Sequence, residues 1–271
     1  MRQPPTKSFA RNRKMRLALC LLAFRAVTTA QTDAPPDTAE QERILTLMRQ
    51  YAASYRMPDV AYDYTTTSFD SPAGSNKWHQ RSAGDSSRLV HDGREYWCVT
   101  GKNGKPSKLA KWKEVGIYPT GLFEALASRA TLVWDRWDTL RARRFAVFNY
   151  SVGQQDSKWI LPERGIASAR VPYSGSVHVD PVTGAIWRVS EVVNEIPARF
   201  KTRHISGVRD YDQVAMGTTQ YLLLMTHSVI IRPNLWDVDE RDDWVYRNYH
   251  KFDADSSITF FGADSSITYK K

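Results

Sequence analysis

The stretch VPYSGSVHVDPVTGAIWRV, residues 171–189, reads as an antiparallel β-hairpin. Two runs with alternating apolar residues, 173–179 and 185–189, flank Asp180-Pro181-Val182-Thr183-Gly184. The Asp180 carboxylate can accept hydrogen bonds from the backbone ahead of it, Pro181 presets φ for a type I turn, and Gly184 can take the left-handed conformation that returns the chain. Side chains on paired strands alternate between faces, a period of two. That period recurs through most of the chain and sets the expected fold class: mainly β, with two or so helices.

Working outward toward the C-terminus, strands are expected at 191–195, 208–216, 220–231 and 244–252. The run 220–231 is apolar on both phases, Tyr221, Leu223 and Met225 on one and Leu222 and Leu224 on the other, which requires cover on both faces. The segment 232–243, charged and containing Pro233, reads as an exposed loop. The tail repeats itself: Ala254-Asp-Ser-Ser-Ile-Thr259 recurs nine residues later from Ala263. An odd displacement puts Ile258 and Ile267 on opposite faces of any one continuous strand. The first copy is therefore expected to be the terminal strand, and the second to fray or pair at an edge.

Toward the N-terminus, strands are expected at 60–65, 77–81, 88–91, 95–100, 131–137 and 145–152, with His91-Asp92-Gly93 as a tight turn. Two segments break the alternation. Asp37 followed by Glu40 makes a capping box ahead of Ile44, Met48, Tyr51, Ala52 and Tyr55, an amphipathic helix stopped by Met57-Pro58. A second short helix spans 121–128, with Thr120 as its cap and Leu122, Phe123 and Leu126 on one side. Both apolar stripes need a surface to cover, and the concave side of a curved sheet provides one.

The formal charge of +9 looks at first like a nucleic-acid signal. Seven basic residues and no acid lie in residues 1–30, leaving 31 bases against 29 acids in the rest, so no basic footprint belongs to the folded part. Residues 1–30 read instead as a signal peptide, with basic residues through Arg16, an apolar run at 17–24 and small residues ending at Ala30; Met15 offers a second start. Residues 31–36 form a linker, 37–261 a single half-barrel domain, and 262–271 the duplicated tail. The export signal implies a periplasmic or secreted protein. With the leader removed only Cys98 remains, so no intramolecular disulfide forms. Its strand setting, Tyr96-Trp97-Cys98-Val99, suits a buried structural thiol.

Motifs that carry chemistry are missing. The six histidines show no metal-ligand spacing, no glycine run makes a phosphate loop, and Gly-x-Ser-x-Gly is absent. The carboxylates at 237–243 lack the spacing and glycine of a calcium loop. The nine tryptophans suit strand cores as well as a sugar-stacking surface. No catalytic residue, cofactor or metal is therefore expected.

Several segments resemble a family of exported, mostly uncharacterised proteins of Gram-negative bacteria, related to the outer-membrane lipoprotein carrier and sorting proteins. The resemblance rests on Trp134-Asp135-Arg136-Trp137 with the run 140–148, on 173–188, on Val208-Arg209-Asp210-Tyr211 leading to Tyr221-Leu222-Leu223-Leu224, and on 248–258. It implies an antiparallel half-barrel with helices across its concave face, and a hollow that holds acyl chains without catalysis or cofactor. No functional residue of the carriers maps onto a position here.

The resulting expectation is a periplasmic, non-enzymatic binding protein that shelters an acyl chain, a lipoprotein or another apolar ligand. Doubly apolar strands supply the expected wall: Trp134, Phe148, Tyr150, Val177, Val179, Tyr221 and Leu223. A one-residue slip in register would exchange this set for its neighbours. An ordinary two-sided core without a hollow remains open, and with it an envelope interaction or sensor module that binds another protein and no ligand. A carbohydrate-binding or hydrolytic protein is the third reading; paired carboxylates converging in a groove would favour it. No transmembrane segment is expected after residue 30.

Overall fold

The computed structural model describes residues 34–102, 105–106, 113–117, 121–163, 165–193, 195–233, 238–251, 258–261 and 266–269. The expected signal peptide, residues 1–30, and the first half of the expected linker, residues 31–33, lie outside them. The elements run α1 (Thr38–Ser54), β1 (Val60–Pro72), β2 (His79–His91), β3 (Arg94–Lys102), β4 (Lys105–Pro106), β5 (Lys113–Ile117), α2 (Gly121–Ser128), β6 (Thr131–Leu140), β7 (Arg143–Val152), β8 (Ile160–Glu163), β9 (Ile166–Arg170), β10 (Tyr173–Val179), β11 (Ile186–Val193), β12 (Thr202–Met216), β13 (Thr219–Pro233), β14 (Val238–Lys251), β15 (Ile258–Phe261) and β16 (Ser266–Tyr269).

One large antiparallel sheet takes the order β4-β3-β2-β1-β14-β13-β12-β11-β10-β7-β6, with β5 also on β3. It does not close, which makes it a curved half-barrel rather than a barrel. Its longest-range step pairs β1 with β14, bringing strands from either end of the domain together, and a shorter one pairs β7 with β10. Among the described residues no helix is long and apolar enough to cross a membrane.

The hairpin β10–β11 forms as its residues dictate. Asp180 Oδ1 accepts from the backbone N–H of Val182 at 2.9 Å and of Thr183 at 3.1 Å, and the Gly184 N–H donates to the Asp180 carbonyl at 2.9 Å. Gly184 has φ +74°, and a Cβ there would lie 2.3 Å from the Leu47 carbonyl carbon. The turn therefore seats against the backbone of α1. Arg43 of that helix donates to the Pro181 carbonyl at 2.8 Å, a second tie between helix and turn.

Helix α1 begins at Asp37, whose Oδ1 accepts from the Glu40 N–H at 2.8 Å. Glu40 does not complete the box but pairs with Arg43 at 2.7 Å. Ile44, Met48 and Ala52 are buried. Stacking then runs from helix to helix to sheet: Tyr55 lies face to face on Phe123 of α2 at 4.0 Å, and Phe123 meets Tyr211 of β12 edge-on at 5.7 Å. The main apolar cluster lies beneath the helices, with Ala146, Phe148, Tyr150 and Val152 of β7, Val177 and Val179 of β10, and Ile186, Val189 and Val193 of β11. A second cluster joins Val60, Tyr62 and Tyr64 of β1 to Val90, Met216 and Leu223.

Several expected boundaries move. The runs 77–81 and 88–91 are parts of one strand, β2, because its polar middle is satisfied across the sheet: Ser87 Oγ donates to Asp63 at 2.6 Å, and Asp85 accepts from Thr65 at 2.7 Å. The exposed loop expected at 232–243 is strand from Val238 onward. There Asp239 is buried, 3.4 Å from Arg232 and 3.8 Å from Arg203, so inward phase and two arginines hold what composition alone reads as solvated. The small hairpin β8–β9 is an element that the alternation does not reveal. Among the tail's described residues, β15 and β16 pair with each other, Thr259 opposite Thr268, as a sheet of their own, so Ile258 and Thr259 of the first repeat do not extend the large sheet.

Candidate functional site

Where the two apolar clusters meet, the concave side holds a cavity of about 560 Å³. Its wall draws Leu122 and Phe123 from α2, Trp159 and Ile160 from the segment entering β8, Tyr173 from β10, and Tyr211 and Leu224 from β12 and β13. Across from these stand Tyr62 and Tyr64 of β1 and Trp244 and Tyr246 of β14. Eight of the eighteen lining residues are Phe, Tyr or Trp and three are aliphatic, in a hollow within the size range of a small-molecule site.

Five charged side chains also line it: Arg88, Glu95, Lys158, Glu191 and Arg209. Each pairs with an opposite charge. Arg88 lies 2.7 Å from Glu95, which also accepts from the Tyr62 hydroxyl at 3.3 Å. Arg209 donates to Glu191, and Lys158 to Glu124 of α2. The carboxylates sit deeper than the guanidiniums: Glu191 and Glu95 side chains are 4% and 9% exposed, against 24% for each arginine. Burial raises the Glu191 carboxyl above the ordinary carboxylate range, opposed by the attraction of Arg209. The buried pair has a structural cause, since Glu191 and Arg209 occupy the inward phases of adjacent strands, where Glu191 is opposite Gly207 and Val189 opposite Arg209. Gly207 leaves room for the carboxylate, which lies 3.2 Å from where a Cβ would stand.

His227 completes this wall, its ring stacked on Trp244 at 4.9 Å. Burial, aided by the charge of Arg209, pushes its imidazole down to about 3, so the ring is neutral at physiological pH. Burial pushes up the hydroxyls of Tyr173, to about 12, and of Tyr211 and Tyr246, so these three stay protonated at physiological pH and serve as hydrogen-bonding groups.

None of the seven wall residues expected from the sequence lines this cavity. Phe148, Tyr150, Val177 and Val179 are buried in the main cluster beneath the helices, and Trp134 packs on that cluster, edge-on to Phe148 at 5.4 Å. Leu223 and Tyr221 belong to the second cluster, while their neighbours Leu222 and Leu224 pack on the first. The structure thus brings five of the seven together in one core and the other two in another. The signal that marks this cavity's wall is the charge interrupting an apolar phase: Glu191 between Val189 and Val193, and Arg209 between Ile205 and Tyr211.

Elsewhere, Asp59, His91 and Asp92 form an exposed cluster with His91 Nδ1 2.9 Å from Asp59 and Nε2 3.6 Å from Asp92. One ligand atom of each lies within 4.8 Å of the other two, and Asp59 is already engaged by the His91 ring and the Asp92 N–H. Cys98 is buried, and burial raises its thiol, as suits a structural residue.

No protein-family model matches the chain, and no curated protein matches it. Among solved structures it is similar to a domain assigned as an outer membrane lipoprotein-sorting protein from Vibrio parahaemolyticus, at 7% identity and TM-score 0.39, covering 78% of this chain and 92% of that one. It is also similar to a DUF1329 family protein from Desulfovibrio piger, at 11% identity and TM-score 0.33, covering 82% and 96%, and to LprF from Mycobacterium bovis, at 11% identity and TM-score 0.27, covering 80% and 95%. At these identities and TM-scores the likenesses carry no functional weight, and the half-barrel stands on the strand pairing described above.

Proposed function

We propose that the protein is a non-enzymatic binding protein of the bacterial envelope, exported to the periplasm, that shelters one acyl chain or similar apolar ligand in the cavity beneath α2. The observation that carries this reading is the wall: eight aromatic rings and three aliphatic side chains around about 560 Å³, with each charged group already paired. Such a surface gains by excluding water and offers no free nucleophile or acid–base pair. The two carboxylates that face the cavity, Glu95 and Glu191, are each held by an arginine, which disfavours the hydrolytic reading.

The test is native mass spectrometry of the protein purified without detergent from the periplasm of an expression host, with a solvent extract analysed for lipids. An acyl-containing adduct in one-to-one ratio supports the reading when it is lost from Leu122→Asp protein of unchanged circular dichroism. A bare mass that stays bare after incubation with fatty acids, monoacylglycerols and phospholipids overturns it and favours the interaction module. Substitution at Phe148 or Leu223 would be uninformative, because both are core residues at 0% and 1% exposure.

A further inference from the structure

The two arginines of the cavity share an arrangement that an acyl-chain shelter does not require. Arg88 on β2 and Arg209 on β12 stand at either end of a span of five neighbouring strands, β2-β1-β14-β13-β12. Each has its carboxylate placed behind it, more deeply buried than the guanidinium. Tyr246, on the central strand of that span, lines the same cavity as Arg88, Glu95, Glu191 and Arg209, so the pairs address one common space. Arg88 is further fixed over the ring of Tyr64, 5.4 Å from its centre.

A guanidinium carries five N–H donors in a planar fork. Glu95 and the Tyr64 side chain engage part of the Arg88 fork and Glu191 part of the Arg209 fork, and what remains exposed of either can donate only to an acceptor. The accompanying carboxylate is already paired with that charge. An anion entering this space would therefore bury a charge that no unpaired cation of the wall answers, which low dielectric penalises strongly. A neutral acceptor, such as an ester or amide carbonyl or a hydroxyl, meets the same donors at no such cost.

Building on the apolar-ligand reading of this cavity, we propose that its ligand is a neutral amphiphile whose hydrogen-bond-accepting group lies between Arg88 and Arg209 beside Tyr246, with its apolar body against the aromatic wall. The pairs are thus specificity-determining residues that select uncharged polar groups over carboxylates and phosphates.

The test uses the full protein and displacement of the neutral fluorescent probe N-phenyl-1-naphthylamine by two competitors of equal chain length, 1-palmitoylglycerol and palmitate, at pH 8. The glycerol ester is expected to displace the probe at least tenfold more tightly than palmitate. The paired variant Arg88→Met with Glu95→Gln keeps the wall neutral and leaves neither member of the pair as an unpaired buried charge. In it the preference is expected to shrink to within about threefold, each competitor being scored against the probe affinity measured for that same variant. Tyr246→Phe, which removes only a hydroxyl, is a second variant expected to weaken the ester more than palmitate. Palmitate binding as tightly as the ester overturns the inference while leaving the apolar-ligand reading intact, as does an ester preference unchanged in both variants. Failure of probe, ester and palmitate all to bind folded protein overturns the apolar-ligand reading, and this inference falls with it.

Discussion

His227 is held neutral by burial against Trp244 and by the charge of Arg209, and the cost of protonating it in place makes it a pH-dependent liability. Above about pH 6.5 the imidazole is neutral folded and unfolded, and it contributes nothing to the slope. On acidification the unfolded chain takes up the proton first, while the folded state resists until about pH 3. The unfolded state then binds more protons, so stability falls as pH falls through that window. At pH 4.5 the loss from this one residue is about 2–3 kcal/mol. Urea unfolding at pH 7.5 and 4.5 checks it: His227→Gln should lose less stability between the two than the parent does, and an equal loss would sink the assignment. The Glu191–Arg209 pair gives a second residue-scale prediction. Arg209→Met alone leaves a buried carboxylate without its partner and should cost about 3–5 kcal/mol. Adding Glu191→Leu should restore most of that, a non-additivity that two independent sites would not show.

At the scale of elements the hairpin β10–β11 joins sheet to helix through its turn. Asp180→Ala removes two backbone acceptor bonds and the 2.7 Å pair with Arg143, and should cost about 2–3 kcal/mol. Gly184→Ala should cost more, because the new Cβ meets the α1 backbone and the residue sits at positive φ. Thermal unfolding of both variants ranks them; a Gly184→Ala protein as stable as its parent would mean that turn and helix are not in contact. Legibility follows from this locality. Residues 180–184 declare the hairpin because each acts within five residues of itself, and Asp37 with Glu40 declares α1 for the same reason. The polar middle of β2 is not legible, since Asp63 and Thr65 satisfy it from another strand. The site is illegible for a stronger version of that reason. Arg88 with Glu95, and Glu191 with Arg209, become partners only once register fixes which phase faces inward. Phase could not be chosen on β13, where Leu223 and Leu224 are equally apolar and only the second lines the cavity.

For the whole molecule, an open sheet of this breadth curves around a hollow larger than two short helices fill. Helices α1 and α2 occupy the half over β7, β10 and β11, and the cavity occupies the junction with the half built on β1 and β14. A hollow of fixed volume predicts how affinity should depend on ligand length. Each methylene added to a ligand that still fits strengthens binding by about 0.8 kcal/mol, roughly fourfold. Once about 560 Å³ is filled, further carbons project into water and the gain stops. A series of 1-monoacylglycerols from eight to twenty carbons, each measured by displacement of the same neutral probe below its aggregation concentration, should rise steeply and then level. A continuous rise through the whole series would place the chain on an open surface outside the cavity. No dependence on length would mean that the hollow encloses no chain at all, and its aromatic wall would then be core for the sheet.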